Sequence, residues 1–170
     1  MNQNIKIPFV DLYPQYEELQ SEIDLAIRDI ITRSDYITGP TVEKFEQAIM
    51  NYTGAEACAS IGSGTNALVC ALKALDIGPG HQVMTVGHTF VSTTEAIVNV
   101  GATPVFVDID QFYHLDVNKM ELTDTLKAIL FVDLYGQTPD VDKILSFAKQ
   151  FNLKVIEDAA QSFGSEYKGK

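Results

Sequence analysis

The sequence predicts an α/β protein with a mainly parallel sheet flanked by helices. Short apolar runs at 82–86, 104–107, 127–132 and 154–157 alternate with stretches of helical periodicity. The last run has the uninterrupted apolar character of a parallel strand rather than the alternation of a half-exposed one. Repeated strand and helix units of this length imply right-handed crossovers between parallel neighbours.

A chain of 170 residues, 46% of them hydrophobic, suits one compact domain with a real core. The formal net charge of -11, with no clustered Lys or Arg, argues against nucleic acid or an anionic membrane as partner. Spread over helix faces, that acidity serves solubility. Cys58 and Cys70 lie in apolar segments. No signal pattern or membrane-length run accompanies them, so they read as reduced core residues of a cytoplasmic protein. His81, His88 and His114 have no paired ligand spacing, and no metal site is expected.

In chain order, Tyr16, Leu19, Ile23, Ala26, Ile27 and Ile30 repeat at helical spacing and predict a helix over 16–31, with acids early and Arg28 and Arg33 late. The preceding stretch, 8–14, reads as extended, with aromatics that suggest packing on another surface, a partner subunit being one candidate. A loop at 36–40 leads to a second helix marked by Val42, Phe45, Ile49 and Tyr52, ending near Gly54. From there the chain alternates: strand 57–61, helix 65–75, turn 78–80, strand 82–86, helix 92–100, strands 104–107 and 127–132. Thr138 as cap and Pro139 in the first turn open a helix to about Gln150, and strand 154–157 follows. The division is thus a helical segment, 1–54, and βα repeats, 55–170.

Three strand-end features suggest a site. Asp158 falls where the last strand stops, at the sheet edge where open α/β proteins bind ligands; it reads equally as a cap of the next turn. Gly62-Ser63-Gly64-Thr65-Asn66 would present backbone N–H groups at a helix N-terminus, a seat for phosphate, or else form a tight turn capped by Ser63 or Thr65. Phe90, in Gly87-His88-Thr89-Phe90, can stack on a flat ring or pack into the core, whereas His88 is expected to face water. An anion seat, a stacking ring and a carboxylate at one edge suit a planar phosphorylated cofactor. Pyridoxal phosphate is one, and it needs an acid beside its ring nitrogen. Gln161 could meet the ring's hydroxyl oxygen or lie at the surface.

Several stretches together resemble the DegT/DnrJ/EryC1/StrS family of sugar aminotransferases. They are Tyr36-Ile37-Thr38-Gly39-Pro40, Ser63-Gly64-Thr65-Asn66-Ala67-Leu68, Ile77-Gly78-Pro79-Gly80, Thr89-Phe90, the run from Gly101 to Asp108, Leu134-Tyr135-Gly136-Gln137 and Ile156-Glu157-Asp158-Ala159-Ala160-Gln161. The resemblance implies an incomplete large domain of the fold type I aminotransferase architecture. It assigns phosphate to Gly64 and Thr65 beside Ser63, the ring to Phe90, its nitrogen to Asp158 and its oxygen to Gln161. It also implies transfer of an amino group from L-glutamate to a nucleotide-linked keto-sugar, with a 3-keto sugar or sugar acid as the subgroup resembled, by a homodimer. The covalent cofactor lysine is expected downstream of Lys170, with Lys168 and Lys170 in turn positions, so no catalytic residue is assigned and the chain alone is expected to be inactive. The small C-terminal domain is likewise expected to be missing, and so are two later strands that the resemblance places between strand 57–61 and strand 154–157, leaving a gap between the Ser63-Gly64-Thr65 loop and the Asp158 strand. A noncatalytic remnant or binding module, or a dehydratase with histidine in place of the lysine, are the alternatives.

Overall fold

The computed structural model describes residues 7–169, in two compact units, 1–60 and 61–170. Lys170 lies outside the described residues.

In the first unit, α1 spans Tyr13–Arg33 and α2 spans Pro40–Thr53. The start of α1 corrects the expectation for 8–14: Pro14 sits inside the first turn, where its missing N–H costs nothing. Only the residues before Tyr13 are irregular, and the early acids fall beyond the first turn. Arg33 grips Asp29 with two hydrogen bonds of 3.1 and 2.6 Å at the end of α1. Gly54, at φ 73°, closes α2 in the left-handed conformation that glycine adopts without strain, and its N–H reaches the Met50 carbonyl at 2.8 Å. Neither helix buries a side chain. The strand expected at 57–61 does not form. Its Ala-Cys-Ala-Ser core has weak strand preference, and without a ladder partner the backbone gains nothing from extension.

The second unit holds α3 (Gly64–Ala74), β1 (Gln82–Val86), α4 (Val91–Asn99), β2 (Thr103–Val107), β3 (Leu126–Val132), α5 (Val141–Gln150) and β4 (Lys154–Asp158). The strands form one sheet in the order β2-β1-β3-β4, every pairing parallel, as the sequence predicts. Strand alternation sends successive β3 side chains to two cores. Ala128 and Leu130 join Leu72 of α3 and Ile97 of α4, while Ile129 and Phe131 join Ile144 and Ala148 of α5. Burial on both faces is why these runs are apolar without interruption. The outer edge of β4 has no partner strand among the described residues.

Two further expectations are corrected. Helix α5 is capped by Asp140, whose side chain accepts from the Lys143 N–H at 3.3 Å, so Pro139 precedes the cap instead of following it. Cys58 is only half-buried and Cys70 is exposed, on the side of α3 away from Leu68 and Leu72; both are free thiols.

The register places Val132 opposite Asp158 and Val86 opposite Val107. The segments that follow β1, β3 and β4 therefore emerge along one edge of the sheet.

Candidate functional site

Ser63 caps α3: its Oγ accepts from the Asn66 N–H at 3.2 Å. The first N–H groups of a helix have no intrahelical acceptor, and those of Gly64 and Thr65 find none elsewhere among the described residues. Ser63 thus acts as the cap that the local sequence allows, and by closing the turn it leaves two aligned donors open. The Thr65 hydroxyl donates to Ser92 Oγ at 2.8 Å, joining the head of α3 to that of α4.

Asp158 closes β4 with both carboxylate oxygens engaged. Oδ1 accepts from the Ala160 N–H at 3.2 Å, the cap anticipated as the plainer reading. Oδ2 accepts from the hydroxyl of Thr93, a fully buried residue of α4, also at 3.2 Å. Since Ser92 and Thr93 are neighbours in α4, one helix head connects the anion seat to the acid. The expected gap is bridged there by side chains rather than by strands.

Phe90 does not enter the core; its ring is 67% exposed at the start of α4. With His88, Thr89, Tyr135 and Gln161 it borders a hollow of about 300 Å³, the lower end of the range for small-molecule sites. Gln161 Oε1 accepts from the Tyr135 N–H at 2.9 Å, so its NH2 is the end left to donate. Phe90 and Gln161 therefore meet at one hollow, whereas Ser63, Gly64, Thr65 and Asp158 connect to it through α4.

His88 departs from expectation. Instead of only facing water it packs against Tyr113 and Tyr135, ring centres 5.4 and 6.2 Å away, with Nε2 3.3 Å from the Tyr135 hydroxyl. Tyr113 and Tyr135 sit at φ 70° and 61°, a region that bulky side chains avoid and that concentrates at functional sites. Nothing local in the sequence announces this cluster, because its members come from three separate loops.

Asp133 is a residue that sequence reasoning missed, although it follows an apolar strand just as Asp158 does. It is 1% exposed, accepts from the Ser162 hydroxyl at 3.0 Å through Oδ2, and has a buried Oδ1 without a donor. Burial raises its carboxyl to about 7; the neighbouring Glu157 carboxyl and the Asp158 charge push the same way, against the Ser162 hydroxyl.

Fold and site together define a parallel α/β domain with two open helix-head donors, an exposed ring and a hydrogen-bonded acid along one sheet edge. The chain belongs to the DegT/DnrJ/EryC1/StrS aminotransferase family, whose profile matches residues 17–170. It is 44% identical over 167 residues to a UDP-2-acetamido-2-deoxy-3-oxo-D-glucuronate aminotransferase of Pseudomonas aeruginosa, covering 96% of this chain and 46% of that protein. Identity to a UDP-N-acetyl-3-dehydro-α-D-glucosamine 3-aminotransferase of Acidithiobacillus ferrooxidans is 40%, covering 100% and 47%. Among solved structures, DesV of Streptomyces venezuelae superposes with a TM-score of 0.94 at 37% identity, over 97% of this chain and 45% of its own. NtdA of Bacillus subtilis, solved with the bound cofactor PMP, gives 0.90 at 32%, over 96% and 39%. The chain thus spans less than half the length of these relatives.

Proposed function

We propose that the protein expressed from this gene is a pyridoxal-phosphate-dependent aminotransferase that moves the amino group of L-glutamate onto the keto group of a nucleotide-linked sugar, with a 3-keto sugar or sugar acid as the favoured class. The observation that carries this reading is the hydrogen-bonded link from the open donors of Gly64 and Thr65, through α4, to Asp158. The residues present fit the cofactor, and relatives named as 3-oxo and 3-dehydro sugar aminotransferases give the substrate class.

When bound, the cofactor supplies a protonated ring that draws electrons from the amino-acid carbon as its proton leaves. Asp158, held by Thr93 and by the Ala160 N–H, is an oriented anion suited to keeping a ring nitrogen protonated. The Gly64 and Thr65 N–H groups, at the positive end of α3, take the phosphate. Phe90 covers one ring face, and the Gln161 NH2 donates to the ring oxygen. Among the described residues no lysine borders the hollow, and Lys168 is ion-paired with Asp142.

The first two helices bury nothing and expose Leu25, Ile31 and Phe45, with Phe9 and Ile37 exposed in the segments beside them, which supports assembly as a homodimer. Among the described residues no helix is long and apolar enough to cross a membrane, in keeping with work in the cytoplasm.

Incubating the protein with glutamate and nucleotide-linked 3-keto sugars should yield 2-oxoglutarate and the aminated sugar by mass spectrometry. Borohydride reduction and peptide mapping should then find phosphopyridoxyl on one lysine. No amine transfer together with no adduct on a folded protein overturns the reading.

A further inference from the structure

We propose that Asp133 is a positioning residue for Gln161, anchoring the turn after β4 through its buried hydrogen bond with Ser162. The inference rests on the cofactor reading above and adds a residue that never touches the cofactor itself.

Hydrogen bonds near Gln161 tie the segment after β3 to the end of β4 and the turn beyond it. The Asp133 N–H donates to the Asp158 carbonyl at 3.1 Å, and the Ser162 hydroxyl donates to Asp133 Oδ2 at 3.0 Å. The Tyr135 N–H donates to Gln161 Oε1 at 2.9 Å, and the Ser165 hydroxyl to the Gly136 carbonyl at 3.0 Å. Of these, only the Ser162–Asp133 bond joins two buried side chains. It acts one residue from Gln161, on the far side from the Asp158 anchor. With both ends of that short turn pinned, the Gln161 amide keeps one orientation; released, it is an ordinary exposed glutamine.

The charges point the same way. Asp133, Glu157 and Asp158 converge at the ends of β3 and β4, and among the described residues no cation pairs with any of them. Three anions so placed repel one another. Burial raises the Asp133 carboxyl to about 7, with neighbouring Glu157 and Asp158 pushing the same way, which suits a group that anchors the turn without adding a buried charge.

The test is a double-mutant cycle read by pyridoxal phosphate affinity and by the visible circular-dichroism band of the bound cofactor. Asp133→Ala and Gln161→Ala should each weaken binding about tenfold and move the band in the same direction. The double variant should be no worse than the weaker single one, within about twofold. Asp133→Asn keeps the acceptor for Ser162, so it should restore affinity and band. Should Asp133→Ala fail to fold, Ser162→Ala, which removes one hydroxyl, takes its place in the same cycle. Additive losses, or an Asp133→Ala protein with native affinity and band, overturn the inference while leaving the cofactor reading intact. A wild-type protein that binds no cofactor overturns both.

Discussion

Two turns at the same edge of the sheet solve their hydrogen bonding in opposite ways. The turn entering α3 uses one side chain, Ser63, to close itself and leaves the Gly64 and Thr65 donors unpaired. The turn after β4 consumes its polar groups internally: Asp158 on Ala160 and Thr93, Gln161 on Tyr135, Ser162 on Asp133. Unpaired donors at a helix head are useful only to a ligand that supplies acceptors. Paired groups are useful for holding something still. Under the proposed function the first turn is the receptor and the second the frame, and a planar anion would need both.

The contrast is broken most severely at the frame's acid. Asp158→Asn keeps the Oδ1 acceptor for the Ala160 N–H, turns the other oxygen into an NH2 that can donate to the Thr93 hydroxyl oxygen, and removes the negative charge. Amine transfer should fall at least about a hundredfold in steady-state kinetics, with thermal unfolding little changed. Unimpaired transfer would show that the acid serves only as a turn cap. The receptor turn can be tested with comparable selectivity. Gly64 is the first residue of α3, a Cβ there meets nothing within 4 Å, and Ser63 before it is already extended at φ -163°, ψ 158°. Proline is at home in that position and its predecessor has the backbone that proline demands. Gly64→Pro should leave stability unchanged yet weaken cofactor binding about tenfold or more by deleting one donor, measured by absorbance titration. Unchanged affinity would mean that the Gly64 N–H holds no phosphate.

The same contrast explains what could be read from the sequence. The strands were legible because double-sided burial makes them continuous apolar runs; 82–86 matches β1 and 127–132 matches β3 to one residue. The capped head of α3 was legible too, since a hydroxyl between glycines ahead of a helix is local chemistry, and so was the place of Asp158 at the end of β4. The frame was not, because its partners lie far apart in the chain: Asp133 with Ser162, Tyr135 with Gln161, Thr93 with Asp158. Pattern reading also failed where neighbours compete for one role. Thr138 and Asp140 can both cap a helix, and only the side-chain bond to Lys143 decides for Asp140. At 57–61 the apolar character suggested a strand, but forming one depends on a partner rather than on local composition.

A smaller effect is expected at the face between the two turns. Phe90, already exposed, can be cut to alanine without opening a cavity, so Phe90→Ala should cost only the stacking contribution. That is about 1 kcal/mol, or roughly fivefold in cofactor affinity, with no loss of thermal stability. A marked loss of stability instead would assign the ring to packing.

The smallest effect should appear in the pH dependence of unfolding, and it isolates the frame. The Asp133 carboxyl, raised to about 7 by burial and then by Glu157, binds its proton more tightly folded than unfolded, where it has the ordinary value of 3.8. Between those values the folded chain holds a proton that the unfolded chain has released, so stability falls as pH rises through that window. The contribution is complete below the ordinary carboxylate range and lost above about 7. Asparagine of the same shape has no such proton to lose. The wild-type unfolding temperature should therefore drop by a few degrees more than that of Asp133→Asn between about pH 5 and about pH 8. Parallel curves for the two proteins would show that Asp133 is ionised throughout, and the buried frame would then have to hold a full negative charge beside Glu157 and Asp158.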